Sequence, residues 1–267
     1  MSSQLFPSNR TPRYVALFAS TLAISLSLFQ LWQPLVGFFP VGSLPFESIL
    51  GQQPATYFRP IHLAWILVLG FVVYPVAKEQ GLLRWLDAGA IALVVWASAR
   101  ILSFDYQSID HLLHGLSRPD FAAGMILVLA TLEMARRAVG PVMMWVGLVF
   151  LLYGAFGNVL PVVLATKGFS FERIVRFQVF TGAGLFGAPL GIAAGAVFSF
   201  VLFGAFLQVT GAGKFLIDLS FAAAGRYRGG PAKASVIASA AMGSISGSAI
   251  ANTVTTGSLT IPMMKKL

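Results

Sequence analysis

Near its C-terminal end the sequence reads Gly243-Ser-Ile-Ser-Gly-Ser-Ala-Ile-Ala-Asn-Thr-Val-Thr-Thr-Gly257. This run places small hydroxyl and amide side chains in a region that is otherwise apolar enough for a membrane. An unpaired hydroxyl or amide group costs several kcal/mol in hydrocarbon, so polar groups at that depth mark places where the backbone unwinds around a ligand or an ion. The stretch therefore predicts a binding turn of a transporter.

The composition of the whole chain is that of a polytopic membrane protein. Hydrophobic residues make up 57% of the sequence, charged residues make up 10%, and the mean hydropathy is +0.81. We predict an all-α fold with about six transmembrane helices, because a spanning helix needs about 20 apolar residues. The predicted spans are Tyr14–Trp32, Pro60–Ala77, Leu86–Phe104, Phe121–Ala135, Gly140–Leu164 and Leu190–Val209. The sequence contains no cysteine, which excludes a disulfide framework and a cysteine metal site.

The distribution of basic residues predicts the orientation in the membrane. With the N-terminus in the cytoplasm, twelve of the 18 Lys and Arg residues fall on the cytoplasmic side, as the positive-inside rule requires. These residues are Arg10, Arg13, Lys78, Arg84, Arg136, Arg137, Lys214, Arg226, Arg228, Lys233, Lys265 and Lys266. The net charge of +9 sits in short loops without a continuous basic stripe, so nucleic acid is not an expected partner, whereas membrane lipid is.

The end of the chain differs from the six predicted spans. Its apolar segments Pro231–Ser246 and Asn252–Met264 reach only about 24 and 20 Å as helices, against a hydrocarbon core of about 30 Å. Basic residues flank both segments, which places both outer ends on the cytoplasmic side. We therefore predict a cytoplasm-facing re-entrant helical hairpin over residues 231–264, with its tip at residues 246–252. The alternative is a single long helix whose small residues allow close packing.

Three other segments have structural interpretations. The alternation of apolar and basic residues around Phe169–Phe177 predicts a helix in the outer membrane interface, and Ala212–Phe221 predicts an amphipathic connector on the cytoplasmic surface. The glycine-rich run Thr181–Gly191 has neither a preceding strand pattern nor a following Lys-Ser/Thr, so it predicts a helix start or a close-packing turn rather than a phosphate loop.

The sequence contains no complete set of catalytic residues. An intramembrane serine protease would need a base beside Ser246, but the three histidines, His62, His111 and His114, all lie upstream and near the predicted outer surface. His111 and His114 with Asp110 form no complete metal site, and they are interpreted as loop residues. We predict that the protein is not an enzyme.

The motifs resemble those of the membrane permease of tripartite ATP-independent periplasmic (TRAP) transporters, in particular the fused type associated with TAXI binding proteins. The resemblance rests first on Gly229–Ser239, Gly243–Gly257 and Thr260–Lys265. Further matches are Tyr57–Leu63 with Tyr74-Pro75, Glu133–Arg137, Phe150–Gly157 and Phe200–Phe206. Together these motifs cover nearly the whole chain.

This resemblance implies a domain organisation and a mechanism. Residues 1–137 would form a small, Q-type region of four helices, and residues 138–267 would begin the large, M-type region. The implied transporter lies in the bacterial inner membrane, is driven by sodium, and receives a small organic anion such as a carboxylate from a periplasmic solute-binding protein. The family's large region contains two re-entrant hairpins, of which this chain supplies the first, so the remaining half is expected in the same or another chain.

The candidate site is the hairpin tip. We expect neutral oxygens there to bind sodium and substrate, with no cofactor besides Na+ as the coupling ion. The expected residues are Ser244, Ser246, Gly247, Ser248, Asn252, Thr255 and Thr256. The positive helix dipole near Asn252 favours an anion and the carbonyls near Ser246 favour a cation. Two other classes stay open: a channel, which needs a continuous polar pore face, and a noncatalytic membrane scaffold subunit or truncated fragment without independent transport activity.

Overall fold

All regular secondary structure is helical in the part of the chain that this computed structural model describes, residues 13–38, 51, 53–76, 84–106, 113–161, 163–246 and 249–266. The longer helices are α1 Arg13–Val36, α2 Ala55–Val73, α3 Arg84–Leu102, α4 Arg118–Ala138, α5 Pro141–Phe156, α6 Phe171–Val179, α7 Ala188–Ile192, α8 Phe198–Val209, α9 Ala212–Ala224, α10 Gly230–Ser246 and α11 Ala249–Lys266. A 3-10 turn, Gly157–Val159, follows α5, and a π-helical turn, Ala193–Val197, separates α7 from α8. The predicted all-α class is confirmed.

Among the described residues, five helical segments are long and apolar enough to cross a membrane. They are Val15–Val36, Ala55–Val73, Trp85–Leu102, Pro141–Val159 and Ala188–Leu207. The remaining predicted span, Phe121–Ala135, corresponds to α4, which has 21 residues but carries Glu133, Arg136 and Arg137 near its C-terminal end. The surfaces of these segments are rich in exposed Leu, Val, Ile, Phe and Trp side chains, as a lipid environment requires.

The predicted boundaries differ most from the structure in two spans, in both cases near proline or glycine. Helix α2 begins at Ala55, five residues before Pro60, because a proline in an early turn removes little of the helical hydrogen bonding. It ends at Val73 because the residue before Pro75 is disfavoured in a helical conformation. The span predicted to reach Leu164 ends as an α-helix at Phe156 and turns back after Gly157.

The chain divides into two compact units, Met1–Ala194 and Gly195–Leu267. The predicted boundary between a small region, 1–137, and a large region, 138–267, separates two parts of the implied transporter rather than two compact units, and it stays a prediction. In the first unit α4 is central, since it packs against α2, α3, α5 and α6. Apolar side chains from α2, α3, α4 and α6 form its core, among them Phe71, Ile101, Leu127 and Val179.

A group of charged side chains is buried at one end of this core. Arg137 at the end of α4 pairs with Asp87 of α3 and, at 2.6 Å, with Glu133. Its guanidinium also donates to the Tyr74 carbonyl and lies over the Phe71 ring, 4.8 Å from the ring centre. Every charge in this group therefore has a neighbour of opposite sign, which is the condition for burying it.

The interface helix and the connector are both confirmed as helices. Helix α6 begins after Ser170, whose hydroxyl accepts from the Arg173 amide, and it buries Val175 and Val179 against α4. Gly124 of α4 permits this contact, since a Cβ there would overlap Val175. In the glycine-rich run, Gly187 caps α7, so the predicted helix start is confirmed.

The second unit is a set of sequential helices. Helix α10 packs against α8, α9 and α11, while α9 covers it through contacts such as Gly213 against Met242. The small residues Ala234 and Ala238 of α10 are completely buried. This close helix packing is what brings the polar residues of α11 next to α10.

Candidate functional site

One asparagine links the two helices of the hairpin. The side-chain amide of Asn252 donates to the Ser239 carbonyl at 2.9 Å and to the Ser239 hydroxyl at 3.2 Å. In one continuous helix, residues 13 positions apart would lie about 20 Å from each other along the axis. The two helices therefore run side by side as a helical hairpin, and the single long helix does not describe this segment.

The carbonyl oxygen of this asparagine has no hydrogen-bond partner. Asn252 Oδ1 is buried, and no donor contacts it in the part of the chain that the structure describes. Leaving a buried acceptor unmet costs about 1–3 kcal/mol. Because the amide nitrogen is held by Ser239, the oxygen is fixed as an acceptor. Gly243 lets the two helices approach here, since a Cβ at that position would lie 3.3 Å from Asn252 Nδ2.

Two threonines continue the polar face of α11. Thr256 and Thr260 follow Asn252 at intervals of four residues, and only 5% and 3% of their surfaces are exposed. Each hydroxyl donates to the carbonyl four residues earlier, at 2.6 Å to Asn252 and 2.8 Å to Thr256. The hydroxyl hydrogens are thus used inside the helix, and the oxygens keep lone pairs that can bind a cation.

The structure brings only part of the predicted site together. Asn252 and Thr256 share a buried face of α11, whereas Ser244 is exposed and donates to the Ala241 carbonyl of its own helix at 2.7 Å. Ser246 and Thr255 are helical, but their side chains lie outside the described part of the structure. Gly247 and Ser248 lie outside the described residues altogether.

Two residues of this polar face were not among the predicted site residues. Ser239 supplies both acceptors for Asn252, and Thr260 extends the buried face. The spacing of 252, 256 and 260 could have found Thr260, because residues four apart share a helix face. Ser239 carried no such signal, since its role depends on how the two helices pack.

The electrostatics of the site come from dipoles alone. From Leu219 onward the sequence contains no Asp or Glu. Within the described ranges no group of three His, Cys, Asp or Glu side chains could hold a metal ion. The C-terminal end of α10 and the N-terminal end of α11 lie at the same end of the hairpin, so carbonyls of partial negative charge and amides of partial positive charge are both available there. Such an arrangement suits a weakly held monovalent cation beside an anionic group.

The chain was compared with known proteins. Residues 126–267 match the family described as tripartite ATP-independent periplasmic transporter, DctM component. A 67-residue stretch is 40% identical to the uncharacterized protein y4mL of Sinorhizobium fredii (strain NBRC 101917 / NGR234). That stretch is 25% of this chain and spans 16% of the relative's length. No solved structure matches the chain.

Proposed function

The chain belongs to the DctM component family of tripartite ATP-independent periplasmic transporters, and from this membership we propose that it is a sodium-driven permease for small organic anions. Membership makes it a membrane transport component, and its apolar helices agree with a multi-pass membrane protein. The coupling ion, the substrate class, the need for a periplasmic solute-binding protein and the fused TAXI-associated type belong to the proposal.

The observation that carries the proposal is the unpartnered Asn252 oxygen. A buried neutral acceptor on the same helix face as two buried threonines, with no carboxylate from Leu219 onward, supports a sodium site made of uncharged oxygens. Sodium prefers hard oxygen ligands, and carbonyl and hydroxyl oxygens bind it without the strong attraction that would prevent release. In this proposal the Asn252 oxygen helps to bind the ion, with Ser246, Ser248, the backbone at Gly247 and Thr255 or Thr256 as further candidates.

The substrate and the topology follow from the same hairpin. The amides at the start of α11 provide partial positive charge for a carboxylate. We place the protein in the bacterial inner membrane with a cytoplasmic N-terminus, and we place the hairpin as a re-entrant element that opens from the cytoplasmic side. The short outer loops of the predicted topology offer no capture domain, so a separate periplasmic protein would deliver the solute.

A scaffold role is the second candidate function. It is favoured by the hydrogen bonds between Asn252 and Ser239, which by themselves tie two helices together. A purely structural hairpin would use Asn252 for packing, and its polar face would be indifferent to sodium. The two functions therefore differ in how the hairpin responds to ions.

A cysteine reporter separates these functions, because the sequence has no native cysteine. We would place one cysteine at the exposed Ser244, reconstitute the full chain in lipid vesicles, and measure its rate of maleimide labelling with sodium or potassium. Sodium should slow the labelling selectively, and Asn252→Ala should remove the difference. In the complete transporter with its binding protein, the same substitution should raise the sodium concentration for half-maximal uptake.

Ser239→Ala is the matched control. It removes one acceptor of the Asn252 amide but keeps the Ser239 carbonyl, so the sodium effect should persist. Equal labelling in sodium and potassium for the unmodified hairpin, together with unchanged sodium dependence of uptake in Asn252→Ala, would refute the sodium site and leave the scaffold role.

A further inference from the structure

A groove runs between the membrane helix α5 and the interface helix α6. It encloses about 870 Å³. Helix α5 contributes apolar surface to the groove, and α6 contributes charged surface. The residues that matter below are Phe150, Phe169, Glu172, Arg173, Arg176 and Phe177.

The charged residues of the groove leave an excess of positive charge. Glu172 accepts from the Leu116 amide at 2.8 Å and from Arg176 at 3.2 Å, so its carboxylate is already occupied. Arg176 Nε is buried and lacks a hydrogen-bond partner in the described part of the chain. Arg173 has no ion pair there and lies over the Phe169 ring at 4.9 Å. Two guanidinium groups therefore accompany one carboxylate, which leaves one positive charge in excess.

The remainder of the groove is apolar and exposed. Phe150 of α5 is 68% exposed and Phe177 of α6 is 54% exposed. Helix α5 has no buried residue at all. In a membrane these surfaces contact acyl chains, so the groove joins a hydrocarbon-facing wall to a pair of arginines.

The groove is held in shape by the packing of α6. Val175 and Val179 on the other face of this helix are buried against α4, where Gly124 lets the two helices come close. The backbone of α6, which carries both arginines, is thus held in place by packing. Little of it needs to become ordered when a ligand binds.

We propose that this groove binds an anionic phospholipid, with its phosphate between Arg173 and Arg176 and its acyl chains along Phe150 and Phe177. Guanidinium groups bind phosphate through paired, charge-assisted hydrogen bonds, and basic pockets beside membrane helices select anionic headgroups. The combination of excess positive charge with exposed aromatic surface favours a lipid over a soluble anion or an acidic protein. This site is independent of the sodium site in the hairpin.

Native mass spectrometry of the purified full chain tests the proposal. The protein would be exchanged into lipid mixtures of phosphatidylglycerol and phosphatidylcholine, and the affinity for each lipid would be measured. In Arg173→Gln/Arg176→Gln the affinity for phosphatidylglycerol should fall about tenfold or more, with that for phosphatidylcholine unchanged, since both charge-assisted contacts to the anionic headgroup are lost. Arg173→Gln alone keeps the Glu172–Arg176 pair and should give a smaller loss in a folded protein.

Arg226→Gln/Arg228→Gln is the matched control, because it removes the same charge from the turn after α9 and should leave lipid affinity unchanged. Equal phosphatidylglycerol affinity in the groove variant and the control would overturn the proposal. Displacement of the lipid by inorganic phosphate would assign the arginines to a free anion instead. Unchanged lipid affinity with lost docking of a periplasmic protein would assign the groove to a protein partner.

Discussion

The two units of this protein bury polar groups in different ways. The first unit buries charges that neutralise one another, as in the pairing of Arg137 with Asp87 and Glu133, in addition to uncharged groups such as Gln30 and Ser98. Among the described residues of the second unit the buried polar side chains are uncharged, as Thr256 and Thr260 are, and these two threonines lie on the same helix face as the half-buried Asn252. The Arg137 group is complete without any ligand, whereas the polar face of the hairpin leaves the Asn252 oxygen unmatched.

Because of this difference, substitutions in the two units should affect different properties of the protein. A buried ion pair that loses one partner leaves an uncompensated charge, so the first unit should be sensitive to single substitutions. Uncharged groups that donate within their own helix cost little when they are removed. We therefore expect substitutions in the first unit to change the free energy of unfolding, and substitutions in the hairpin to change ion dependence.

The largest expected effect is at Arg137. Only 8% of its side chain is exposed, and Arg137→Gln would leave Asp87 and Glu133 without their shared cation. The free energy of unfolding, measured by denaturant titration in mild detergent, should fall by about 3–5 kcal/mol. Arg136→Gln is the control, because that side chain is 43% exposed and the loss of its ion pair with Glu133 should change the stability much less. Equal stability of the two variants would contradict the contrast between the units.

The next effect concerns glycines at helix contacts. Gly124→Ala would push a methyl group into Val175, a stiff β-branched side chain, and should cost about 1–3 kcal/mol. Gly213→Ala in the second unit meets only the flexible end of Met242, at 3.1 Å, and should cost less than about 1 kcal/mol. Gly124 is in a helix interior and gains more helix propensity from alanine than Gly213 in the first turn of α9, so a larger loss at Gly124 must come from the contact with Val175. Thermal unfolding of the two variants gives the comparison. A larger loss at Gly213 would show that the second unit is the more rigidly packed.

Asn252 should affect stability less than either. Asn252→Ala removes two hydrogen bonds to Ser239 and should lower the free energy of unfolding by about 1 kcal/mol in the same titration. Thr256→Val should cost less, because the Asn252 carbonyl keeps its main-chain partner. A loss in Asn252→Ala as large as that of Arg137→Gln would make Asn252 chiefly a packing residue.

The smallest expected effect is the pH dependence contributed by Glu172. Hydrogen bonds from the Leu116 amide and Arg176 lower the pKa of Glu172 below its ordinary value of 4.5. The stability that this carboxylate contributes is therefore complete above pH 4.5 and is lost as the pH falls through its lowered pKa. Thermal unfolding of Glu172→Gln should show a weaker fall over this acid range than the unmodified protein. Parallel curves would show that Glu172 does not contribute.

The sequence predicted the helices better than their ends. Length and apolar composition located the spanning helices, because a membrane imposes both. The observed helix ends differ from the predicted ones near proline, as at Pro60 inside α2 and Pro75 after it, because the effect of a proline depends on its position in the helix. The interface helix α6 was predictable from its alternation of apolar and basic residues, since one face is buried against α4.

The candidate site was predicted only in part. Asn252 and Thr256 stood out because uncharged polar residues are rare in such apolar segments. Ser239 did not, because its partner lies 13 residues away and is reached only by folding the hairpin. The Arg137 group was missed for the same reason, since Asp87 is 50 residues distant and the charge pattern suggested only topology.

The sequence alone determined that this is an all-helical membrane protein with a polar segment near residue 250, because hydrophobicity and helix length act through local composition. Only the tertiary structure decided which polar groups are satisfied, because hydrogen bonds and ion pairs between helices depend on atoms meeting within about 3 Å. That is why the pairing of Arg137 and the unmatched oxygen of Asn252 could be recognised only in the folded chain.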